Sequence, residues 1–223
     1  MSLPRIAPYR VPAVQEFPDN RAHWPLDPGR ALLLVHDMQR YFVDAFVDPQ
    51  DPSGPIGAAV ANIRTLLGVS RRIDLPVVFS AQPPRQATSD RGLLGDFWGP
   101  GLQDAEQARI VDALAPADGE RVITKWRYTA FLRTPLADLM RASCRDQLIV
   151  VGVYAHLGCL LTAADAFMHD IEPFLVGDAV ADFSEADHRS ALTYAAGRCA
   201  RVISTTTASA ELRPADLLAR ARR

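Results

Sequence analysis

Short runs of aliphatic residues alternate along this chain with longer stretches of helical periodicity. Runs of about four to eight apolar residues rich in Leu, Ile and Val are typical of strands buried on both faces of a parallel sheet. Such strands are predicted at 31–35, 76–80, 121–124, 147–153, 173–177 and 201–204. Helices are predicted near 57–70, 104–114, 135–143, 159–169 and 185–198. The alternation indicates an α/β fold, a three-layer, doubly wound parallel sheet of about six strands with helices on both faces.

The beginning of the chain breaks this pattern. Residues 1–29 carry six prolines and little periodicity, yet they include large residues such as Tyr9 and Trp24 that are costly to leave in water. We expect an extended arm over 1–29 laid on a single domain of residues 30–223, with a disordered leader as the alternative. Two long connecting segments, 48–55 and 82–102, are expected to cover a site. The last stretch, 208–223, is long enough for one helix with a solvated basic end.

Polar residues stand at the ends of three predicted strands. Asp37 follows the run ending at Val35, and Lys125 follows the run ending at Thr124. The run ending at Val153 leads into a tight turn and a helix start at 154–159. Because the carboxyl ends of parallel strands share one edge of the sheet, a carboxyl, an ammonium group and a helix N-terminus are predicted to converge there.

Composition narrows the functional classes. The 223 residues are 48% hydrophobic and 22% charged, as in ordinary globular domains, and the formal net charge of −2 favours neither nucleic acid nor an anionic membrane. No apolar run approaches the ~20 residues of a membrane span, and the N-terminus has no signal-peptide pattern. Three cysteines without CxxC spacing indicate neither a disulfide framework nor a zinc knuckle, so a cytoplasmic location is expected. The histidines His36, His156 and His169 form no metal-binding spacing and are interpreted as structural; no metal or cofactor is expected.

Six segments occur in the order and spacing of the isochorismatase-like hydrolases. They are HDMQRYF, AQP, GLLGDFWGPG, KWRYTAF, GVYAHLGC and DAVADFS. The chain resembles that family over roughly residues 5–207. Within the family it resembles most closely the isochorismatase of phenazine pathways, and next the hydrolase domain of siderophore isochorismatases.

The resemblance implies a set of site residues. Thiol members of the family align an Asp, a Lys and a nucleophilic Cys, and the Cys position falls here on Gly158 rather than on Cys159. Asp37 and Lys125 are the implied catalytic residues. The implied substrate-binding residues are Phe42, Gln82, Arg91, Trp98, Tyr128, Tyr154 and Gly158. Cys159, one position along the helix, would turn by about 100° away from the pocket and is expected to be a small buried hydrophobe.

Without a nucleophile, the implied reaction is hydrolysis of an enolpyruvyl (vinyl) ether with release of pyruvate. Such an ether needs a carboxylic acid to protonate its methylene carbon and no covalent intermediate. Asp37 is the predicted acid, on the condition that burial or a nearby negative charge raises its pKa; Lys125 opposes this and is predicted to orient Asp37 and to bind a substrate carboxylate.

The preferred substrate is 2-amino-2-deoxyisochorismate, giving trans-2,3-dihydro-3-hydroxyanthranilate, because RGLLGDFWGPG and ADFSEADHRSALTYAAGRCA look more like the phenazine-type enzyme. Isochorismate is the close rival, giving 2,3-dihydro-2,3-dihydroxybenzoate. Two hypotheses from outside ether hydrolysis stay open: a Cys159-dependent thiol hydrolase and a non-catalytic partner protein. No carrier-protein domain is expected, and the family implies a homodimer or higher homo-oligomer. Whether the arm is exchanged between subunits stays open.

Overall fold

Six parallel strands form the centre of the molecule, described here by a computed structural model over residues 3–213. The strands are β1 (Ala31–His36), β2 (Val77–Ala81), β3 (Arg121–Thr124), β4 (Gln147–Val153), β5 (Glu172–Ala181) and β6 (Arg201–Ile203). Their order in the sheet is β3-β2-β1-β4-β5-β6, and every pairing is parallel. The chain therefore winds outward in one direction from β1 and then in the other from β4. The predicted α/β doubly wound sheet is confirmed.

The central strands are buried along their whole length, which explains their uninterrupted apolar sequence. Leu33 of β1 pairs with Val77 on one side and with Ile149 on the other. The β4–β5 pairing shifts register between Val150 and Gly152. Gly152 has a φ of 119°, and a Cβ there would run into the backbone of His36, so this position requires glycine. Strand β5 is longer than the predicted 173–177.

Helices cover both faces of the sheet. They are α1 (Arg40–Val43), α2 (Pro55–Arg72), α3 (Thr88–Arg91), α4 (Leu94–Trp98), α5 (Ala105–Ala108), α6 (Leu136–Ala142), α7 (Leu160–Met168), α8 (Glu185–Arg198) and α9 (Thr205–Glu211). The apolar faces of α2 and α9 share one buried cluster with the side chains of one sheet face. Those of α6, α7 and α8 share a second cluster on the opposite face. A doubly wound sheet buries both faces in this way.

The predicted helix over 104–114 is wrong. Only α5 and a short 3₁₀ turn at Asp112–Leu114 form there. Between them the backbone is extended, because Arg40 N–H donates to the Arg109 carbonyl and Val111 N–H donates to the Met38 carbonyl. Backbone pairing with the segment after β1 thus overrides the local helical pattern.

Three other segments differ in detail from the elements predicted from the sequence. The segment 82–102, expected as a long loop, contains α3 and α4. Helix α7 is preceded by a π-helical turn at Ala155–Cys159. The C-terminal helix, predicted within 208–223, is α9 and begins earlier, at Thr205; the rest of that prediction, with the basic end, lies outside the described residues.

The proline-rich arm lies against the domain along residues 3–29. Ile6 is buried and pairs with the backbone beside Phe46: its N–H donates to the Ala45 carbonyl, and its carbonyl accepts from Val47 N–H. Further on, the Tyr9 hydroxyl accepts from the backbone N–H of Asp182. Among residues 3–213 no helix has the length and apolar character needed to cross a membrane.

Candidate active site

A pocket opens at the carboxyl edge of the sheet, around the point where the winding direction changes between β1 and β4. This is the usual location of sites in doubly wound folds. All nine residues implied by the sequence resemblance line it: Asp37, Phe42, Gln82, Arg91, Trp98, Lys125, Tyr128, Tyr154 and Gly158. The convergence expected from three strand ends is therefore present in the structure.

Asp37 lies at the floor of the pocket, directly after β1. Its side chain is almost fully buried, and its φ of 49° places the backbone in the left-handed region. Oδ1 accepts a hydrogen bond of 2.6 Å from the Ser80 hydroxyl, and Oδ2 accepts one of 3.2 Å from the Gln82 amide. The Lys125 Nζ lies 2.9 Å from Oδ2. The carboxylate is thus held by donors from β2, from the loop after β2 and from the segment after β3.

Lys125 is buried as completely as its partner. Besides Asp37, its ammonium group donates to the Arg127 carbonyl at 2.5 Å and to the Tyr128 carbonyl at 3.3 Å. Burial by itself would raise the pKa of Asp37, but the charge of Lys125 and the Ser80 hydroxyl outweigh it and hold that pKa below its ordinary value. In the free protein Asp37 is therefore a carboxylate, and the upward shift that the sequence reasoning required is not present.

Gly158 faces the imidazole of His36. A Cβ at position 158 would lie 2.8 Å from Nε2 and 2.9 Å from Nδ1, and closer still to Cε1. The backbone of Gly158 is not in the left-handed region, so space alone excludes a side chain. His36 thereby occupies the place that a side chain at 158 would need.

His36 is fixed in that place. Its Nδ1 lies 2.9 Å from the Val153 carbonyl and its Nε2 lies 3.2 Å from the Tyr128 carbonyl. Burial lowers the pKa of His36 to about 4, so the ring is neutral at pH 7 and carries a single N–H. We assign that proton to Nδ1 because its acceptor is nearer.

Arg91 is a second cationic residue of the pocket lining. The side chain is buried, its Nε donates to the Gly99 carbonyl at 3.0 Å, and Nη1 donates to the Gln82 Oε1 at 3.1 Å. Nη2 has no acceptor among residues 3–213. Gly101 packs so closely that a Cβ there would lie 2.8 Å from the Arg91 Cζ. The guanidinium is thus held rigidly with one edge available to an anion.

Aromatic side chains form the remaining wall. Trp98 Nε1 donates to the Tyr128 hydroxyl at 2.6 Å. The Tyr154 hydroxyl donates to the Phe42 carbonyl at 2.9 Å, and the two rings meet edge to face at 6.0 Å. The hydroxyl proton of Tyr154 is therefore already used in a hydrogen bond within the protein.

Several lining residues were not identified from the sequence: Leu3, Tyr41, Leu94, Val153 and Leu157, together with His36, which was interpreted as structural only. Tyr41 lies inside the segment HDMQRYF, next to residues that were identified. Leu3 gave no local signal, because its place in the pocket depends on the path of the arm.

Cys159 lies outside this pocket. It is fully buried in the apolar cluster on the α7 and α8 side of the sheet, and burial raises the pKa of its thiol well above the usual value. His156 does not line the pocket either, and its Nδ1 donates to Oδ1 of the buried Asp182 at 2.6 Å. Across residues 3–213 no group of three or more His, Cys, Asp or Glu side chains is arranged to hold a metal ion.

Comparison with known proteins shows the family of this chain. The Isochorismatase domain family matches residues 31–207. An isochorismatase of Bacillus subtilis (strain 168) is 50% identical over 220 residues, covering 97% of this chain and 70% of that protein. The phenazine biosynthesis protein PhzD1 of Pseudomonas aeruginosa is 47% identical over 204 residues, covering 91% of this chain and 96% of that protein.

Solved structures give the same result for the fold. A cysteine hydrolase from Pseudomonas syringae pv. phaseolicola 1448A superposes with a TM-score of 0.75 at 25% identity, covering 87% of this chain and 97% of that one. Family match, identity and fold coincide over nearly the whole chain. The protein is therefore an enzyme of the isochorismatase family of hydrolases.

Proposed function

We propose that this enzyme hydrolyses the enolpyruvyl ether of 2-amino-2-deoxyisochorismate to trans-2,3-dihydro-3-hydroxyanthranilate and pyruvate, without a covalent intermediate. One observation carries the proposal. The pocket floor combines a buried carboxyl, Asp37, with a position, Gly158, where the ring of His36 leaves no room for a nucleophilic side chain. A vinyl ether requires the first and does not require the second.

The proton supply depends on Lys125. With Lys125 at 2.9 Å, Asp37 is ionised in the free protein. A substrate carboxylate that approaches the ammonium group would share its charge and add a negative charge beside Asp37. Both effects raise the pKa of Asp37, so substrate binding itself would bring a proton onto this carboxyl.

Protonated Asp37 would then donate its proton to the terminal methylene carbon, which becomes a methyl group as the double bond is used to form the C–H bond. The resulting oxocarbenium ion adds water, and the proton released from that water returns to the Asp37 carboxylate. In the hemiketal, the C–O bond to the ring oxygen then breaks while the hemiketal hydroxyl loses its proton and becomes the keto group of pyruvate. That proton is transferred to the departing ring oxygen, which leaves as the ring alcohol. One water is consumed and Asp37 is regenerated.

The remaining pocket residues suit a small dianionic ring. Arg91 presents a free guanidinium edge for a bidentate hold on a carboxylate, and Gln82 is held beside it by hydrogen bonds to Arg91 and Asp37. The backbone N–H of Gly158 lies in the turn that starts α7 and can face an anion. Trp98 and Phe42 supply the apolar wall against the ring.

The preference for the amino substrate rests on two segments. Both look more like the phenazine-type enzyme in sequence. The first is RGLLGDFWGPG, which forms the end of α3 and all of α4 beside the pocket. The second is ADFSEADHRSALTYAAGRCA, which lies at the end of β5 and along α8. Isochorismate is the second candidate substrate. The 50% identity with an isochorismatase of Bacillus subtilis favours it as strongly as the 47% identity with the phenazine protein favours the amine.

A thiol hydrolase that uses Cys159 has little support, because this thiol is buried outside the pocket and its pKa is raised. The hypothesis of a non-catalytic partner protein is wrong, because the chain belongs to a family of enzymes. Asp37, Lys125, Arg91 and Gln82 are also all present in one pocket.

We also propose a homodimer, since Leu93, Phe97 and Leu132 are large apolar side chains more than half exposed. Sedimentation velocity tests that proposal. A cytoplasmic location stays a prediction.

The test is pyruvate release, coupled to lactate dehydrogenase, from 2-amino-2-deoxyisochorismate and isochorismate in parallel, with Asp37→Asn as the control. A clearly higher kcat/KM for the amino compound supports the proposal. A higher value for isochorismate assigns an isochorismatase instead. Absence of pyruvate from both compounds would reject ether hydrolysis and return Cys159 to consideration.

A further inference from the structure

Two residues that the sequence did not point to stand between the active-site pocket and solvent. Leu3 and Tyr41 line the pocket, and the same two residues line a separate, open groove together with Arg5, Asp44 and Gln107. A side chain that borders both spaces is the partition between them. We call this pair the entrance wall.

The pocket is too small in its present form for the proposed substrate. Its cavity volume is about 50 Å³. Sites that enclose small organic ligands usually have about 300–1,000 Å³. A chorismate-derived ring with two carboxylates therefore requires part of the pocket wall to move outward when it enters.

Leu3 is the part of the wall best placed to move. The arm is attached to the domain just beyond it: the Arg5 guanidinium donates to the carbonyls of Asp44 and Val47 at 3.4 and 3.3 Å, and Ile6 pairs with Ala45 and Val47. Leu3 itself is held by apolar packing against the core cluster. Apolar contact at the end of an anchored segment opens at less cost than backbone pairing does.

Tyr41 differs from the other tyrosines of the pocket. The Tyr128 oxygen accepts from Trp98, and the Tyr154 hydroxyl donates to the Phe42 carbonyl. The Tyr41 hydroxyl has no hydrogen-bond partner among residues 3–213. Tyr41 lies on α1, half-buried, and its ring meets that of Phe42 edge to face at 5.1 Å. Because no protein group among residues 3–213 uses this hydroxyl, and because Tyr41 lines the pocket, the hydroxyl is suited to donate to a bound anion.

We propose that Leu3 and Tyr41 determine substrate capture: Leu3 closes over the bound ring, and the Tyr41 hydroxyl donates to a carboxylate of the substrate. The inference rests on the proposed function for the nature of the substrate. The N-terminal arm then belongs to the active site, since it supplies one wall of the pocket.

Steady-state kinetics of Leu3→Ala and Tyr41→Phe test the proposal, with Val14→Ala and Tyr194→Phe as matched controls. Val14 is an exposed apolar residue of the same arm, and Tyr194 is an exposed tyrosine of α8; neither lines the pocket. Loss of one hydrogen bond to a charged group in Tyr41→Phe, or of the isopropyl group in Leu3→Ala, should lower kcat/KM about tenfold. The loss should appear mainly in KM, because the wall does not touch the proton-transfer step.

A second measurement does not depend on the substrate. In a Trp24→Phe/Trp126→Phe background, Trp98 of the pocket is the remaining tryptophan. Acrylamide should quench its fluorescence at least about twofold more strongly after Leu3→Ala than after Val14→Ala, because an open wall admits the quencher.

The two measurements separate failure of the inference from failure of the proposed function. Equal quenching in the two arm variants overturns the role of Leu3, whatever the substrate is. Unchanged kcat/KM in Tyr41→Phe, in an enzyme whose wild type releases pyruvate, overturns the role of Tyr41. If the wild type releases no pyruvate from either compound but quenching still rises in Leu3→Ala, the proposed substrate is wrong and the wall remains; donation by Tyr41 to a carboxylate of that substrate then falls.

Discussion

Replacement of Gly158 by alanine tests the packing that excludes a side chain from the pocket floor. The new methyl group would lie within 3 Å of His36 Nε2 and Nδ1. The imidazole cannot easily turn aside, because it is buried and hydrogen-bonded to the Val153 carbonyl. Overpacking of a buried site costs about 1–3 kcal/mol, and this rigid contact places Gly158→Ala near about 3 kcal/mol. For a chain of this size, such a loss lowers the melting temperature by about 6–12 °C.

A double-mutant cycle attributes the cost to His36. His36→Ala alone should cost about 2–3 kcal/mol, since it leaves the buried Val153 carbonyl without its donor. In that background the methyl at 158 meets open space, so Gly158→Ala should cost less than about 1 kcal/mol. The coupling free energy is then about 2 kcal/mol, well above the error for independent sites.

The assay is thermal and urea unfolding of the wild type, both single variants and the double variant at pH 7. Gly197→Ala is the matched control: Gly197 lies in α8, and a Cβ there meets nothing within 4 Å. That change should be neutral or stabilising by up to about 1 kcal/mol. A Gly158→Ala protein that melts within about 2 °C of the wild type, or one equally destabilised in the His36→Ala background, would refute the steric reasoning.

Three further outcomes are expected. Asp37→Asn should lower kcat for pyruvate release at least ~10²-fold while circular dichroism shows a folded protein, because the amide keeps the shape but supplies no transferable proton; near wild-type turnover removes Asp37 from the mechanism. Cys159→Ala should keep most activity, and a folded but inactive variant would instead support a covalent mechanism. Burial lowers the pKa of His36 from 6.5 to about 4, so between these pH values the unfolded chain binds more protons than the folded protein. Protonation of His36 should therefore lower the free energy of unfolding by about 3 kcal/mol between pH 7 and pH 4. Melts of His36→Ala over that range should show a correspondingly smaller loss, and equal losses in the two proteins would place the titration elsewhere.

Local pattern was sufficient for the sheet. Runs such as 31–35 and 147–153 predict parallel strands because strands covered on both faces must be apolar throughout. Asp37 and Lys125 directly follow two such strands, and parallel strand ends meet at one edge, so their convergence could be expected from the sequence. Arg91 and Trp98 were identified through the family resemblance, since neither follows a strand.

Local pattern failed where contacts distant in sequence determine the conformation. The segment 104–114 has a helical pattern, but its middle pairs by backbone hydrogen bonds with residues 38–40. Leu3 enters the pocket because Ile6 is paired beside Phe46, about forty positions along the chain. Neither contact has a signature in the residues nearby, because the energy that decides each one comes from the partner segment.

The sequence by itself determined the α/β class, the order of its strands along the chain and the residue types of the site, because each depends on the periodicity or identity of neighbouring positions. Only the tertiary structure showed that His36 excludes a side chain at 158, that Lys125 lies beside Asp37 and lowers its pKa, and that Leu3 of the arm lines the pocket. Steric exclusion and pKa depend on distances of a few ångströms between groups far apart in the chain. Those distances exist only once the two halves of the sheet have come together.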